Sequence, residues 1–338
     1  MSEKNNISVE NLLAELKNQI YRPIYLLHGE ESYFIDVVSD YIEQHLLSDL
    51  EKEFNQTIAY GKDSNVQNLI SYAKRFPMMA NYQVLIVKEA QDLDKIEDFL
   101  PYIENPLTST ILVICYKYSK YDKRKAFYKA VEKHGVAFES AKLYDNKIPE
   151  WIHDYLRQRK YSVTPKAALL LTEFLGNDLG KIVNEIQKLL INIPAGAEIN
   201  EEYVEKNIGI SKDFNVFELQ KALARKDVAH ANQIIFYFAA NLRDNPLAKI
   251  IPILFSYFSK VLTYHFLPDK SKNSVSVALA INPFFVADYQ QAAKSFPVGK
   301  TISVISLLQE YDLKSKGVDN PSTGDGELMK ELIFKILH

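Results

Sequence analysis

"YLLHGEESYF", residues 25–34, reads as the end of a strand, a turn and the start of a helix. The apolar run 24–27 enters a turn at Gly29, and a helix begins near Ser32. Strand, loop and helix in that order make the layout that holds phosphate on a helix N-terminus. The loop chemistry runs against that use. A phosphate loop needs consecutive backbone N–H donors, a lysine for the β/γ-phosphates and a hydroxyl for magnesium. Here Gly-Lys-Ser/Thr is missing, and Glu30 and Glu31 repel phosphate. His28, Gly29, Glu30, Glu31 and Ser32 therefore form a degenerate phosphate loop that is not expected to bind nucleotide. A second loss lies downstream. The apolar run "VLIV", 84–87, ends in Lys88-Glu89 where an active ATPase carries Asp-Glu, so the metal-holding aspartate is absent too.

Outward from that loop, strand and helix signals alternate. The runs 84–87 and 111–115 are apolar on both faces, as suits the middle of a helix-covered parallel sheet. Further strands are predicted at 54–60 and 136–140. Helices are predicted at 8–16 behind a Ser8 cap, at 32–47, from Asp63 or Ser64 to 75, at 94–104 with Pro101 bending it, and at 123–133. This alternation implies βαβ units and an open α/β sheet. From about Lys142 the pattern becomes helical. Pro149 and Trp151 open one helix, and Pro165 sits where a helix start tolerates it. Leu179, Ile182, Val183, Ile186, Leu189 and Leu190 form one buried stripe at helical spacing. Asn200 caps a short helix, 209–214 reads as a linker, and long apolar-striped helices follow from about 246, at 301–317 and at 326–337. The fold class is α/β followed by all-α.

Composition bounds the function. A chain of 338 residues supports two or three domains. A net charge of −3 argues against an autonomous DNA binder but permits local basic patches. The single cysteine, Cys115, excludes an internal disulfide, reads as a buried thiol, and suits a reducing cytoplasm. There is no HExxH, Cys/His cluster, GxSxG or GxGxxG, so no metal, cofactor or catalytic residue is expected. His28 ends a strand at the edge where α/β sites form, but no nucleophile is identifiable beside it and it reads as a turn residue. The N-terminal segment lacks signal-peptide layout. No apolar run approaches a membrane span of about 20 residues.

Two stretches carry positive signals. In "RFPMMANYQ", 75–83, Phe76, Pro77, Met78 and Met79 stand together where a loop should be polar. Such a cluster marks a partner site or plugs the domain's own core, and the residues alone leave both open. In "YKYSKYDKRKAFYK", 116–129, the cations Lys117, Lys120, Lys123, Arg124 and Lys125 alternate with tyrosines. That pattern suits phosphate contact and stacking, though in a net-negative chain a solvated helix face with inward aromatics is the stronger reading.

Four phrases in order, "IYLLHGEESYFIDVVSDYI" (24–42), "FPMMANYQVLIVKEA" (76–90), "YKYSKYDKRKAFYKAVEKHG" (116–135) and "LGNDLGKIVNEIQKL" (175–189), resemble the delta subunit of the bacterial DNA polymerase III clamp loader. The resemblance covers essentially the whole chain. It implies an AAA+-like parallel-sheet domain over 1–141 with a clamp-binding tip, a small helical lid domain over 142–209, and a helical collar domain over 210–338. It also implies a non-ATPase subunit that binds the beta sliding clamp and helps open it for loading onto primed DNA during replication. Such a chain has no catalysis of its own, although it serves a DNA-directed DNA polymerase, a nucleotidyltransferase assembly. Implied partners are the beta sliding clamp, the gamma/tau ATPase and delta-prime subunits through the C-terminal domain, and primed DNA within the complex. The implied location is the cytoplasm, at replication forks on the nucleoid, with no membrane contact. The family's clamp wedge falls on Met78 and Met79, supported by Phe76 and Pro77. Relatives often carry Leu-Phe at the pair, so Met-Met is a softer version. Lys117, Lys120, Lys123, Arg124 and Lys125 are possible DNA or subunit contacts. The competing readings are an active AAA+-type ATPase, separated by nucleotide binding at Gly29, and an unrelated helical adaptor, separated by sliding-clamp pull-down.

Overall fold

Side chains that alternate across an all-apolar strand bury both of its faces, so such strands need helices above and below. The computed structural model, which describes residues 7–208, 213–320 and 322–338, builds its first unit this way. Positions 209–212 of the expected linker lie outside the described residues. The chain divides into two compact units, Met1–Tyr144 with Asp178–Gly180, and Asp145–Asn177 with Lys181–His338.

In the first unit, α1 (Val9–Lys17), β1 (Ile24–Gly29), α2 (Ser32–His45), α3 (Asp49–Asn55), β2 (Gln56–Tyr60), α4 (Val66–Ala73), β3 (Gln83–Lys88), α5 (Leu100–Glu104), β4 (Thr110–Lys117), α6 (Ala126–His134) and β5 (Val136–Ser140) follow one another. The five strands are all parallel, in the order β2-β3-β4-β1-β5. Tyr25, Leu27, Val84, Ile86, Ile111 and Val113 bury one face against Leu12, Leu16, Ile35, Val38 and Ile42 of α1 and α2. Ile24, Leu26, Leu85, Val87, Leu112 and Ile114 bury the other against Val66, Leu69, Tyr102, Phe127 and Val131 of α4, α5 and α6. The parallel α/β head expected from the sequence is therefore present.

Three local expectations are corrected. Phe54 and Asn55 are not strand but the last residues of α3. That helix starts in a complete capping box, in which the Ser48 side chain accepts from the Glu51 backbone and the Glu51 carboxylate accepts from the Ser48 backbone. The helix expected over 94–104 is only α5, because Lys95 adopts φ 54° and Ile96–Phe99 form a 3₁₀ turn. Pro101 lies in the first turn of α5, where its missing N–H costs nothing. The helix expected from 123 begins at Ala126, because the Asp122 side chain accepts from the Arg124 backbone and makes a turn.

The second unit contains α7 (Ile148–Arg157), β6 (Ser162–Val163), α8 (Pro165–Leu175), all but the first two residues of α9 (Leu179–Ile191), β7 (Glu198–Ile199) and α10 (Glu201–Ile208). After them come α11 (Val216–Arg225), α12 (Val228–Ala240), α13 (Leu247–Phe266), α14 (Lys272–Leu279), α15 (Val286–Ser295), α16 (Val298–Ser315) and α17 (Asp325–Leu337). The short parallel pair β6–β7 was not foreseen in this helical region. Helix α13 packs against α15 and α16, while α12 packs on α17. Contrary to the expectation that no run approaches a membrane span, α13 is long and apolar enough by length and composition, the one such helix among the described residues. It packs as a core helix, burying Leu247, Ile250, Ile251, Leu254, Phe258 and Val261.

The capping box on α3 sets a test of local stability. Ser48→Ala removes the side-chain acceptor and is expected to cost about 1 kcal/mol. The measurement is denaturant unfolding of the full chain followed by far-ultraviolet circular dichroism, and an unchanged midpoint contradicts the assignment.

Candidate docking tip and the degenerate phosphate loop

The connection between α4 and β3 is where the apolar cluster sits, and both of its ends are pinned. The carbonyl of Ala73, at the end of α4, accepts from the Thr110 hydroxyl at 2.8 Å and the Tyr102 hydroxyl at 3.2 Å. The Tyr72 carbonyl accepts from the Gln83 side-chain amide at 2.5 Å. At the far end Tyr82 meets Tyr21 edge-on, with ring centroids 5.5 Å apart.

Between these anchors the chain turns outward. Phe76 is 77% exposed, Met78 61% and Met79 fully exposed, while Pro77 is half-buried. Of the two readings left open by the sequence, plugging the head's own core does not describe these side chains. Met79 takes φ 52°, a left-handed conformation that costs a non-glycine residue roughly 1–2 kcal/mol. The brace that holds it there is Asn55, which is buried. Its Oδ1 accepts from the Met78 N–H at 2.6 Å, and its Nδ2 donates to the Met78 carbonyl at 3.0 Å and to the Glu51 carbonyl at 3.0 Å. One carboxamide thus satisfies both backbone groups of Met78 and fixes the tip to the end of α3. Sequence reasoning missed Asn55, because its partner lies 23 residues away.

At the opposite end of the sheet, the degenerate loop is filled by the protein itself. Gly29 has φ 143°, and an added Cβ would stand 2.0 Å from the Ser140 carbonyl oxygen, so only glycine fits between β1 and β5. The Glu31 N–H donates to the Ser140 carbonyl at 3.2 Å, and the Ser140 hydroxyl donates to the Glu31 carbonyl at 2.6 Å. The Glu31 carboxylate caps α2 by accepting from the Tyr33 N–H at 3.0 Å. Two of the backbone donors that such a loop aims at phosphate are therefore spent internally, and an anion already sits at the helix N-terminus. Burial raises the Glu31 carboxyl pKa against that hydrogen bond. Glu30 is exposed and Ser32 is half-buried.

His28 is fully buried, its Nδ1 accepts from the Tyr121 N–H at 3.0 Å, and Tyr128 stands edge-on to its ring. Burial lowers its pKa to about 4, so the ring is neutral and structural. It belongs to β1 rather than to a turn. Lys88, in the place of the metal-holding aspartate, binds Glu43 at 2.8 Å and Asp40 at 3.6 Å. Cys115 is buried, and burial pushes its thiol up to about 12. Among the described residues no cluster of three or more His, Cys, Asp or Glu is placed to hold a metal.

The structure brings the five cations of 117–125 to the head's own carboxylates. Lys117 is largely buried against Asp36 at 2.7 Å and Glu89 at 3.6 Å. Lys120 and Lys123 grip opposite oxygens of Glu139 at 3.0 and 2.6 Å. Arg124 pairs with Asp122 at 2.9 Å, and Lys125 with Glu97. Tyr121, Phe127 and Tyr128 are buried, so the interleaved aromatics pack inward, except Tyr118, which is exposed.

Comparison with known proteins places this geometry. A family profile described as DNA polymerase III, delta subunit, matches residues 25–141, which contain both the filled loop and the tip. The DNA polymerase III subunit delta of Bacillus subtilis (strain 168) is 26% identical over 340 residues, covering 96% of this chain and 96% of that protein. The head thus carries the delta-subunit profile, and the chain is similar to a delta subunit over nearly its whole length. The solved Bacillus subtilis DNA clamp loader delta protein matches this chain with a TM-score of 0.53 at 22% identity, covering 98% of this chain and 99% of that one, a likeness of fold.

Two measurements follow from this geometry. Asn55→Ala removes both hydrogen bonds to the Met78 backbone, each worth about 0.5–1.5 kcal/mol. Tryptic cleavage at Arg75 of the folded variant is expected to be faster than in the parent, and equal rates contradict the brace. The Lys123 hydrogen bond, opposed by burial and aided by Lys120, lowers the Glu139 pKa from 4.5 to about 2. A depressed carboxyl pKa contributes stability above pH 4.5 that is lost as pH falls toward 2. Glu139→Gln is therefore expected to flatten the loss of stability between pH 5 and 3 in denaturant titrations; parallel curves for the two proteins contradict it.

Proposed function

We propose that this chain is the non-ATPase delta subunit of a DNA polymerase III clamp loader, and that residues 76–79 bind the beta sliding clamp and help open it. The observation that carries the reading is the braced, outward-facing apolar tip, Phe76, Met78 and Met79, in a head that carries the delta-subunit profile. Methionine is long and unbranched, and adapts to a groove on a partner. A buried methionine contributes roughly 1.5–3 kcal/mol of transfer energy, from which ordering costs are subtracted. The wedge opens the clamp only by binding the open form better than the closed one.

Nucleotide hydrolysis belongs in this reading to the gamma/tau neighbours. The Glu31 cap and the Lys88 ion pairs support it, since they occupy the positions that phosphate and a metal-holding aspartate would need. The division of the helical part into a lid, 142–209, and a collar, 210–338, that joins the gamma/tau and delta-prime subunits is part of the same proposal. Phe236 on α12 and Phe334 on α17, both 61% exposed, are suited to such a contact. Contact with primed DNA or a neighbouring subunit falls to Lys120, Lys123, Arg124 and Lys125, whose side chains are each half exposed or more. Lys117 is spent inside the head. The site of action is the replication fork, in the cytoplasm.

The test is surface binding of the full chain to an immobilised beta sliding clamp. Met78→Ala with Met79→Ala is expected to weaken binding by at least about tenfold while leaving the fold intact. Unchanged affinity in the folded double variant overturns the assignment. Titration with magnesium-ATP is expected to show no binding to the isolated chain, and micromolar binding would restore the active-ATPase reading.

A further inference from the structure

A helix that docks on its own domain turns apolar side chains inward and charged ones outward. Helix α3 does the reverse. Leu50 and Phe54, one turn apart and on the same face, are 79% and 70% exposed, while Asn55 on the inner side is 3% exposed. The polar groups of α3 do not cover them. Ser48 and Glu51 close on each other in the capping box, and Lys52 binds Asp49 and the Gln44 carbonyl.

We infer that Leu50 and Phe54 form a second apolar contact continuous with the tip, and that the sliding clamp covers both. The inference rests on the clamp-binding reading of residues 76–79 and extends it to a surface that reading does not include. Continuity comes from Asn55. It follows Phe54 directly in the chain, and its side chain makes two hydrogen bonds to the Met78 backbone, so α3 and the tip move as one piece. Area gives the second argument. With the roughly 150–250 Å² of an aromatic side chain as the ceiling for each, Phe76, Met78 and Met79 offer roughly 500 Å² at most. A stable complex buries about 800 Å² on each partner. Leu50 and Phe54 bring the surface close to that size, whereas the tip alone falls short. Scattered exposed apolar residues are ordinary, but five large ones carried by two tied segments make a patch of the size that marks an interaction site.

The test compares three full-length proteins on an immobilised beta sliding clamp: the parent, Met78→Ala with Met79→Ala, and Leu50→Ser with Phe54→Ser. Circular dichroism confirms that each is folded, as exposed positions should allow. The α3 variant is expected to bind about tenfold more weakly, mainly through faster dissociation. Parent-like affinity in the α3 variant, with binding lost in the tip variant, overturns the inference and leaves the tip reading standing. Parent-like affinity in the tip variant overturns the tip reading itself, and the inference with it. Sedimentation of the parent as a dimer that the α3 variant turns into a monomer, with clamp affinity unchanged, assigns the face to a second copy and overturns the inference.

Discussion

The Asn55 carboxamide sits buried at the end of α3 and hydrogen-bonds both backbone groups of Met78. A loop of bare apolar side chains would otherwise collapse onto the nearest apolar surface, because exposure of Phe76, Met78 and Met79 is unfavourable in water. The carboxamide offers the backbone of Met78 a fully paired outward geometry, and the pinned ends at Ala73 and Tyr72 remove the slack on the α4 side. The left-handed backbone at Met79 is then held by its surroundings rather than by its own preference. A tip built in this way has much of its ordering cost met before any partner arrives, which is the physical content of preorganisation.

The same head closes one end of its sheet with its own side chains. The C-terminal edge of a parallel sheet is where such folds place ligands. Here that edge is closed by Glu31 on α2, by Ser140 against Gly29, and by the ion pairs of Lys88 and Lys117. These contacts give that mouth structure of its own. The Glu31 carboxylate caps α2, while the Glu31 backbone and Ser140 tie the same loop to β5. The opposite end of the sheet carries the tip.

Much of the head was legible because burial on both faces leaves a one-letter signature. The runs 84–87 and 111–115 admit no polar residue, and the sheet places them at its centre. Helix α3 was overlooked because its apolar residues face outward and contribute no core stripe. Its true mark was the Ser48–Glu51 capping box, four letters long and easily passed over. Glu30 and Glu31 were readable as unfavourable to phosphate, but the capping role of Glu31 was not, since it depends on where α2 begins. The aromatic–basic stretch was ambiguous for a different reason. Its charges are decided by Glu139, Asp36 and Glu97, residues brought close only by the sheet and its loops. Asn55 and Met78 belong to the same class, as a contact across 23 residues has no local pattern.

The central claim is that a head with a closed phosphate loop works by presenting an apolar tip to the sliding clamp. Hydrogen–deuterium exchange of the intact chain, alone and with the beta sliding clamp, tests it most directly. The account predicts that the clamp slows exchange over residues 75–82 and leaves 28–33 unchanged. Exchange over 75–82 that the clamp does not alter, with protection falling elsewhere on the chain, would contradict it.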